Sequence, residues 1–205
     1  MDDTLPAPYE GYDVLQKWWS MSFDSVTRRV LEQRLNEPPP PRFFAAREFA
    51  TLQAACARLL ATPLGTPPIA NWIDADVLGG RGEGFRHPDM PPLQDAWRTG
   101  LRGLEAEAVR RHGRSFAALD GERQDETLRA LHSGDVDPAL FGSLPVQRFF
   151  RHVLLKSAAA HFYAQPQAWN EIGFGGPASP RGYVRLELDR RDPWEAPLSP
   201  KDGAR

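Results

Sequence analysis

The chain has a single cysteine, Cys56, in 205 residues. One thiol cannot close a disulfide within the chain, and it cannot supply a paired-cysteine zinc site or the attachment motif of a c-type haem. Cys56 falls on the apolar stripe of a helical pattern, which marks a buried, inert thiol rather than a nucleophile. Long hydrophobic runs are also missing: nothing approaches the ~18 consecutive apolar residues of a membrane-spanning helix. The opening residues, Met1-Asp2-Asp3-Thr4-Leu5-Pro6, are acidic and lack the apolar core of a secretory signal, so the expected location is cytoplasmic, or periplasmic by co-export with a partner. An excess of either sign of charge is also missing. With a formal net charge of -2, general attraction to nucleic acid or to an anionic membrane surface is not expected.

Catalytic signatures are absent too. The sequence contains no His-Glu-x-x-His zinc motif, no Gly-x-Ser-x-Gly elbow and no Rossmann fingerprint. No histidine follows a glutamate by three, which removes the ligand pair of di-iron helical bundles. The glycine run from Gly79 to Gly84 has neither a preceding strand nor the Lys-Ser/Thr pair of a phosphate-binding loop, and reads as a surface loop. His152 and His161 lie nine residues apart on one expected helix, which at the α-helical period puts them on opposite faces. Asp74 and Asp76 point to different sides, away from the apolar face, and make poor joint metal ligands. Glu105, Glu107, Arg110, Arg111 and Arg114 read as solvated helix faces. Glu171, among aromatics and glycines, is the one acid whose setting could shift its pKa, and a structural or docking role is preferred for it. No catalytic, cofactor-binding or metal-ligating residue is assigned.

What the chain does have is helical periodicity. Leu15, Trp19, Phe23, Val26 and Val30 recur at steps of three or four and predict a helix over 13–36. Trp18, Trp19 and Phe23 make its face bulky, either as core or as a docking arm. Pro38 to Pro41 then stop the helix, since proline lacks the amide hydrogen and four in a row favour polyproline II. Further helices are expected over 45–61, 69–77, 91–112, 120–132 and 145–162, the last apolar around so much of its circumference that it should be central. Val184, Leu186 and Leu188 alternate with Arg185 and Glu187, the one strand pattern. The expectation is an all-α, irregular multi-helix bundle with at most one short strand. Its parts are an arm and spacer at 1–41, a helical domain at 42–190 and a disordered tail at 191–205.

The C-terminal stretch is unlike the rest. Phe162, Tyr163, Pro166, Trp169, Phe174 and Tyr183 alternate with Gly173, Gly175, Gly176 and Gly182, too many helix-breaking residues for a regular helix and too much apolar area for a solvated tail. An ordered, irregular, extended segment is expected. The pattern Tyr163, Pro166, Trp169, Ile172, Gly173, Gly176, Pro177, Gly182, Tyr183 resembles the C-terminal signature of the gluconate 2-dehydrogenase subunit 3 family. A second resemblance runs through Phe49, Leu52, Cys56, Leu59 and Leu60 and on to Ile69 and Ile73. Together they span roughly residues 43 to 184. The resemblance implies a non-catalytic accessory subunit that stabilises or matures the large subunit of a GMC-type sugar or alcohol dehydrogenase. FAD is then expected in that partner and no cofactor in this chain, and a cytochrome c subunit can complete the complex. Family members often begin with a twin-arginine export signal. Here Thr27-Arg28-Arg29-Val30-Leu31 runs on into Glu32-Gln33-Arg34-Leu35-Asn36-Glu37, which is no hydrophobic region, and the pair reads as an exposed helix face. Tyr163, Trp169, Phe174 and Tyr183, together with Trp18 and Trp19, are the expected partner-binding anchors. The alternative is a small ligand-binding protein or enzyme using a cleft under residues 163–183.

Overall fold

A computed structural model describes residues 9, 11–60, 68–82, 84, 86–178, 182 and 194–196. The described residues are all-α: a 3-10 turn Val14–Lys17, then α1 (Ser25–Asn36), α2 (Ala46–Leu60), α3 (Ile69–Leu78), α4 (Leu93–His112), α5 (Gly121–Ser133), α6 (Val146–Arg148), a π-helical stretch Phe149–Leu155, α7 (Lys156–Tyr163) and α8 (Pro166–Ile172). No strand occurs among them; the expected strand at 183–188 lies outside the described residues, as does all of the tail save 194–196. The chain divides into two compact units, one made of residues up to Pro38 and from Tyr163 onward, the other of Pro39–Phe162.

In the second unit α4 is the organising helix, packed by α2, α3 and α5. Its inner face holds Trp97, Leu101, Leu104 and Ala108, each no more than 1% exposed. Two glycines on that helix let aromatic rings approach the backbone: an added Cβ at Gly100 would lie 2.2 Å from the Phe149 ring, and one at Gly103 2.3 Å from that of Phe141. Arg58 of α2 grips Asp125 of α5 through two hydrogen bonds, of 2.7 and 2.6 Å, holding the carboxyl below its usual range. Burial pushes the Cys56 thiol up to about 12, which leaves it un-ionised and unreactive at neutral pH.

Three acids read as solvent-facing are instead interior. Asp74 is fully buried and accepts hydrogen bonds from the backbone amides of Arg42, Phe43 and Phe44. Glu105 is 8% exposed, near Arg47 and bonded by the Phe116 amide at 3.0 Å. Glu107 is fully buried but bonded by the guanidinium groups of Arg110 and Arg111, one turn on along α4. A buried carboxylate is tolerable when its charge is met by such donors.

Glu107 has a consequence for acid stability. Burial alone would raise its pKa; the two arginines and the Asp137 amide outweigh that and hold it at about 2, against 4.5 for the ordinary side chain. The folded state therefore binds this proton more weakly than the unfolded chain does. The stabilisation is complete above pH ~5 and is lost as pH falls from the unfolded value toward the folded one, on the order of 3 kcal/mol in all. Glu107→Gln is expected to be less stable than the native chain at pH 7 and to lose less stability than it between pH 5 and pH 2. Urea titrations at stepped pH measure both slopes; equal slopes would refute the assignment.

In the first unit, the helix expected over 13–36 is interrupted. Residues 18–23 form turns and bends, and α1 starts afresh where Asp24 accepts a 2.7 Å hydrogen bond from the Thr27 amide as N-cap. The segment 166–172, expected to be irregular, is a helix. Pro166 sits in its first turn, where no amide hydrogen is needed, and Gly173 ends it in the left-handed conformation at φ 67°. The proline and the glycine bracket this helix instead of breaking it.

Candidate docking surface

The first unit is built around Val14, Phe23, Leu31 and Trp169, with Tyr12, Leu15 and Trp18 packed against them. The N-terminal arm and the C-terminal segment thus share one small core. Polar contacts fix the register: the Val14 amide donates to Asn170 Oδ1 at 2.8 Å, and the Tyr12 hydroxyl lies 3.1 Å from the carbonyl oxygens of both Phe174 and Trp194. Arg34 donates to the Ala164 carbonyl at 3.0 Å. The glycines of the C-terminal segment serve close packing. A Cβ at Gly173 would stand 2.8 Å from the Tyr9 ring, and one at Gly176 2.7 Å from Phe23.

The expected anchors separate into two groups. Trp169 is interior, 4% exposed, with its indole N–H donating to the Tyr163 carbonyl at 2.6 Å. Trp18 is half-buried and meets Phe23 edge-on. Trp19, Tyr163 and Phe174 face outward, with 84% of Trp19 in solvent. Phe174 also meets Trp169 edge-on, its ring 5.5 Å away. Tyr183 lies outside the described residues. Glu171 is half-buried near the end of α8.

Sequence reasoning passed over Met21, Val26, Val30 and Ile172 as surface features. Met21 is 87% exposed and Ile172 49%. Seven of the ten large apolar side chains exposed among the described residues belong to this first unit. The Trp19 indole is held in place, because the Arg28 guanidinium lies 5.2 Å from its ring. Arg28 also donates to the carbonyls of Trp18 and Phe23, pinning the turn that presents Trp19. The first arginine of the Arg28-Arg29 pair is therefore a half-buried clamp, and only Arg29 conforms to the exposed face expected of both.

Such an arrangement can bind through apolar contact. No cluster of three or more His, Cys, Asp or Glu side chains able to hold a metal occurs among the described residues. Nor is any helix among them long and apolar enough to cross a membrane. A cavity of about 620 Å³ lies elsewhere than under residues 163–183, wholly among residues 73–161 of the second unit.

No curated protein and no solved structure matches the chain. The family description of gluconate 2-dehydrogenase subunit 3 does match, over residues 46–176, which takes in α2 through α8 and more than half of the sequence. With the all-α fold and the C-terminal signature in place, the chain belongs to the gluconate 2-dehydrogenase subunit 3 family.

Proposed function

We propose that this chain is a non-catalytic accessory subunit that binds and stabilises the large subunit of an FAD-dependent sugar or alcohol dehydrogenase. The observation that carries the reading is the concentration of exposed apolar side chains, Trp19, Met21, Ile172 and Phe174 among them, in the unit that contains the C-terminal signature. Large apolar side chains on a surface cost solubility unless something covers them, and rigid aromatics lose little side-chain entropy on binding. Trp19, held by Arg28, suits the role of a central anchor. FAD belongs to the partner in this reading, and a cytochrome c subunit can accept its electrons.

The test is affinity purification of the chain from its native cell under mild detergent, with mass spectrometry and an absorbance spectrum of what co-elutes. A stoichiometric flavoprotein is expected. Trp19→Ser combined with Met21→Ser should abolish its recovery while leaving helicity unchanged, since neither side chain belongs to the core. Loss of one such anchor typically costs about 2 kcal/mol, roughly thirtyfold in Kd. A native chain that elutes alone and colourless, or a double variant that retains the flavoprotein, overturns the proposal.

A further inference from the structure

The second unit contains a cavity that the docking role does not use. It lies between α3, the loop that follows it, the start of α4, the π-helical stretch and α7, is open to solvent on one side, and has a volume of about 620 Å³. That volume suits a small organic molecule. Four permanent cations line it, Arg81, Arg86, Arg148 and Lys156. Asp76 is the carboxylate among the described lining residues, and it is already engaged by Arg81 at 2.7 Å and by His161 at 3.2 Å. Asp89 pairs with Arg148. Among the described residues at the cavity, four cations stand beside the carboxylates of Asp76 and Asp89.

Three histidines add donors. His87 and His152 face one another with ring centroids 5.3 Å apart, and His161 approaches from α7. His152 and His161 meet in one cavity because of the π-helical stretch Phe149–Leu155. Its wider turn shifts the phase of the residues beyond it, so positions that an α-helix would place on opposite sides both line the site. Such stretches are frequent at functional sites. The lining also has an apolar part, with Ile73, Val77, Trp97 and Val153. Gly80, Gly82 and Gly84 bring loop backbone to the lining without side-chain bulk.

The geometry points to a binding site for a small amphipathic organic anion, a phosphate or carboxylate joined to an apolar body, with the anionic group among Arg86, Lys156 and His152 and the body against the Trp97 wall. This site is independent of the docking surface, since its residues all belong to the second unit.

Calorimetric titration of the full chain at low ionic strength tests it, using phenyl phosphate, inorganic phosphate and benzyl alcohol as probes. Saturable one-site binding of phenyl phosphate is expected, about tenfold tighter than inorganic phosphate because only the aryl compound buries apolar surface. Benzyl alcohol should produce no saturable heat. Lys156 and His152 are solvent-exposed, so Lys156→Gln and His152→Gln should fold and should each weaken phenyl phosphate about tenfold through loss of a charged or polar donor. Arg129→Gln on α5, an exposed cation outside the cavity, should leave affinity unchanged. Absence of phenyl phosphate binding, equal affinity for the two phosphates, indifference to both cavity variants or an equal loss in Arg129→Gln each overturn the inference.

Discussion

Gly100→Ala is expected to destabilise the second unit by about 3 kcal/mol, although alanine is favoured over glycine in a helix interior by about 1 kcal/mol. Packing decides the sign. The new Cβ would fall 2.2 to 2.5 Å from three atoms of the Phe149 ring, well inside van der Waals contact. That ring has no room to retreat: Phe149 is fully buried and meets Trp97 edge-on with centroids 5.8 Å apart, and Trp97 in turn abuts Phe44. The clash must therefore be relieved by displacing α4 from the segment that carries Phe149. Gly103→Ala should behave similarly against Phe141, at 2.3 Å. Chemical denaturation of each variant measures the cost. Phe149→Leu should be destabilising alone yet partly rescue Gly100→Ala, a coupling that a double-mutant cycle isolates. A Gly100→Ala protein as stable as the native chain would show that the ring does not rest on the helix backbone.

Neither contact could be read from sequence. Gly100 and Gly103 look like weak points in a good amphipathic pattern, and nothing local says that a ring from about forty residues later lies on each. The helices themselves were legible because their apolar faces repeat every three or four residues: α2, α3, α4 and α5 begin and end within about two residues of the expected bounds. The failures share a cause. Sequence periodicity assumes one number of residues per turn, so it separated His152 from His161 across a stretch with more residues per turn. It treats proline and glycine as breakers, so it dissolved 166–172, where they act as start and stop. It also assigns charged residues to the solvent face. Glu107 escapes that rule through arginines three and four residues along its own helix, a clue that was present in the sequence. Of the docking residues, Trp19 was legible as bulky and Trp169 as part of the signature, but their opposite fates depend on which indole the arm closes over.

Asp74 shows the limit from the other side, because its partners are peptide groups about thirty residues upstream. Its two oxygens accept hydrogen bonds from three successive amides: Arg42 at 2.7 Å, Phe43 at 3.1 Å to each oxygen, and Phe44 at 2.9 Å. Three amides converging on one anion fix the path of the chain as it leaves the proline spacer and enters α2, and Phe44 can then pack on Trp97. Hydrogen bonds to a charged group are worth about 1.5–3 kcal/mol each, and orphaned buried amides add their own desolvation cost. Asp74→Ala is accordingly expected to cost about 4 kcal/mol, among the larger effects of a single substitution. Asp74→Asn keeps the shape but turns one acceptor into a donor aimed at amide donors, so it should recover little of that loss. Hydrogen exchange separates this anchoring role from a general loss of core: under native conditions the amides of residues 42–44 should exchange far faster in either variant, ahead of those of α4. If those amides stay protected and stability falls by less than about 1 kcal/mol, water or another acceptor can replace the carboxylate, and the entry to α2 does not depend on it.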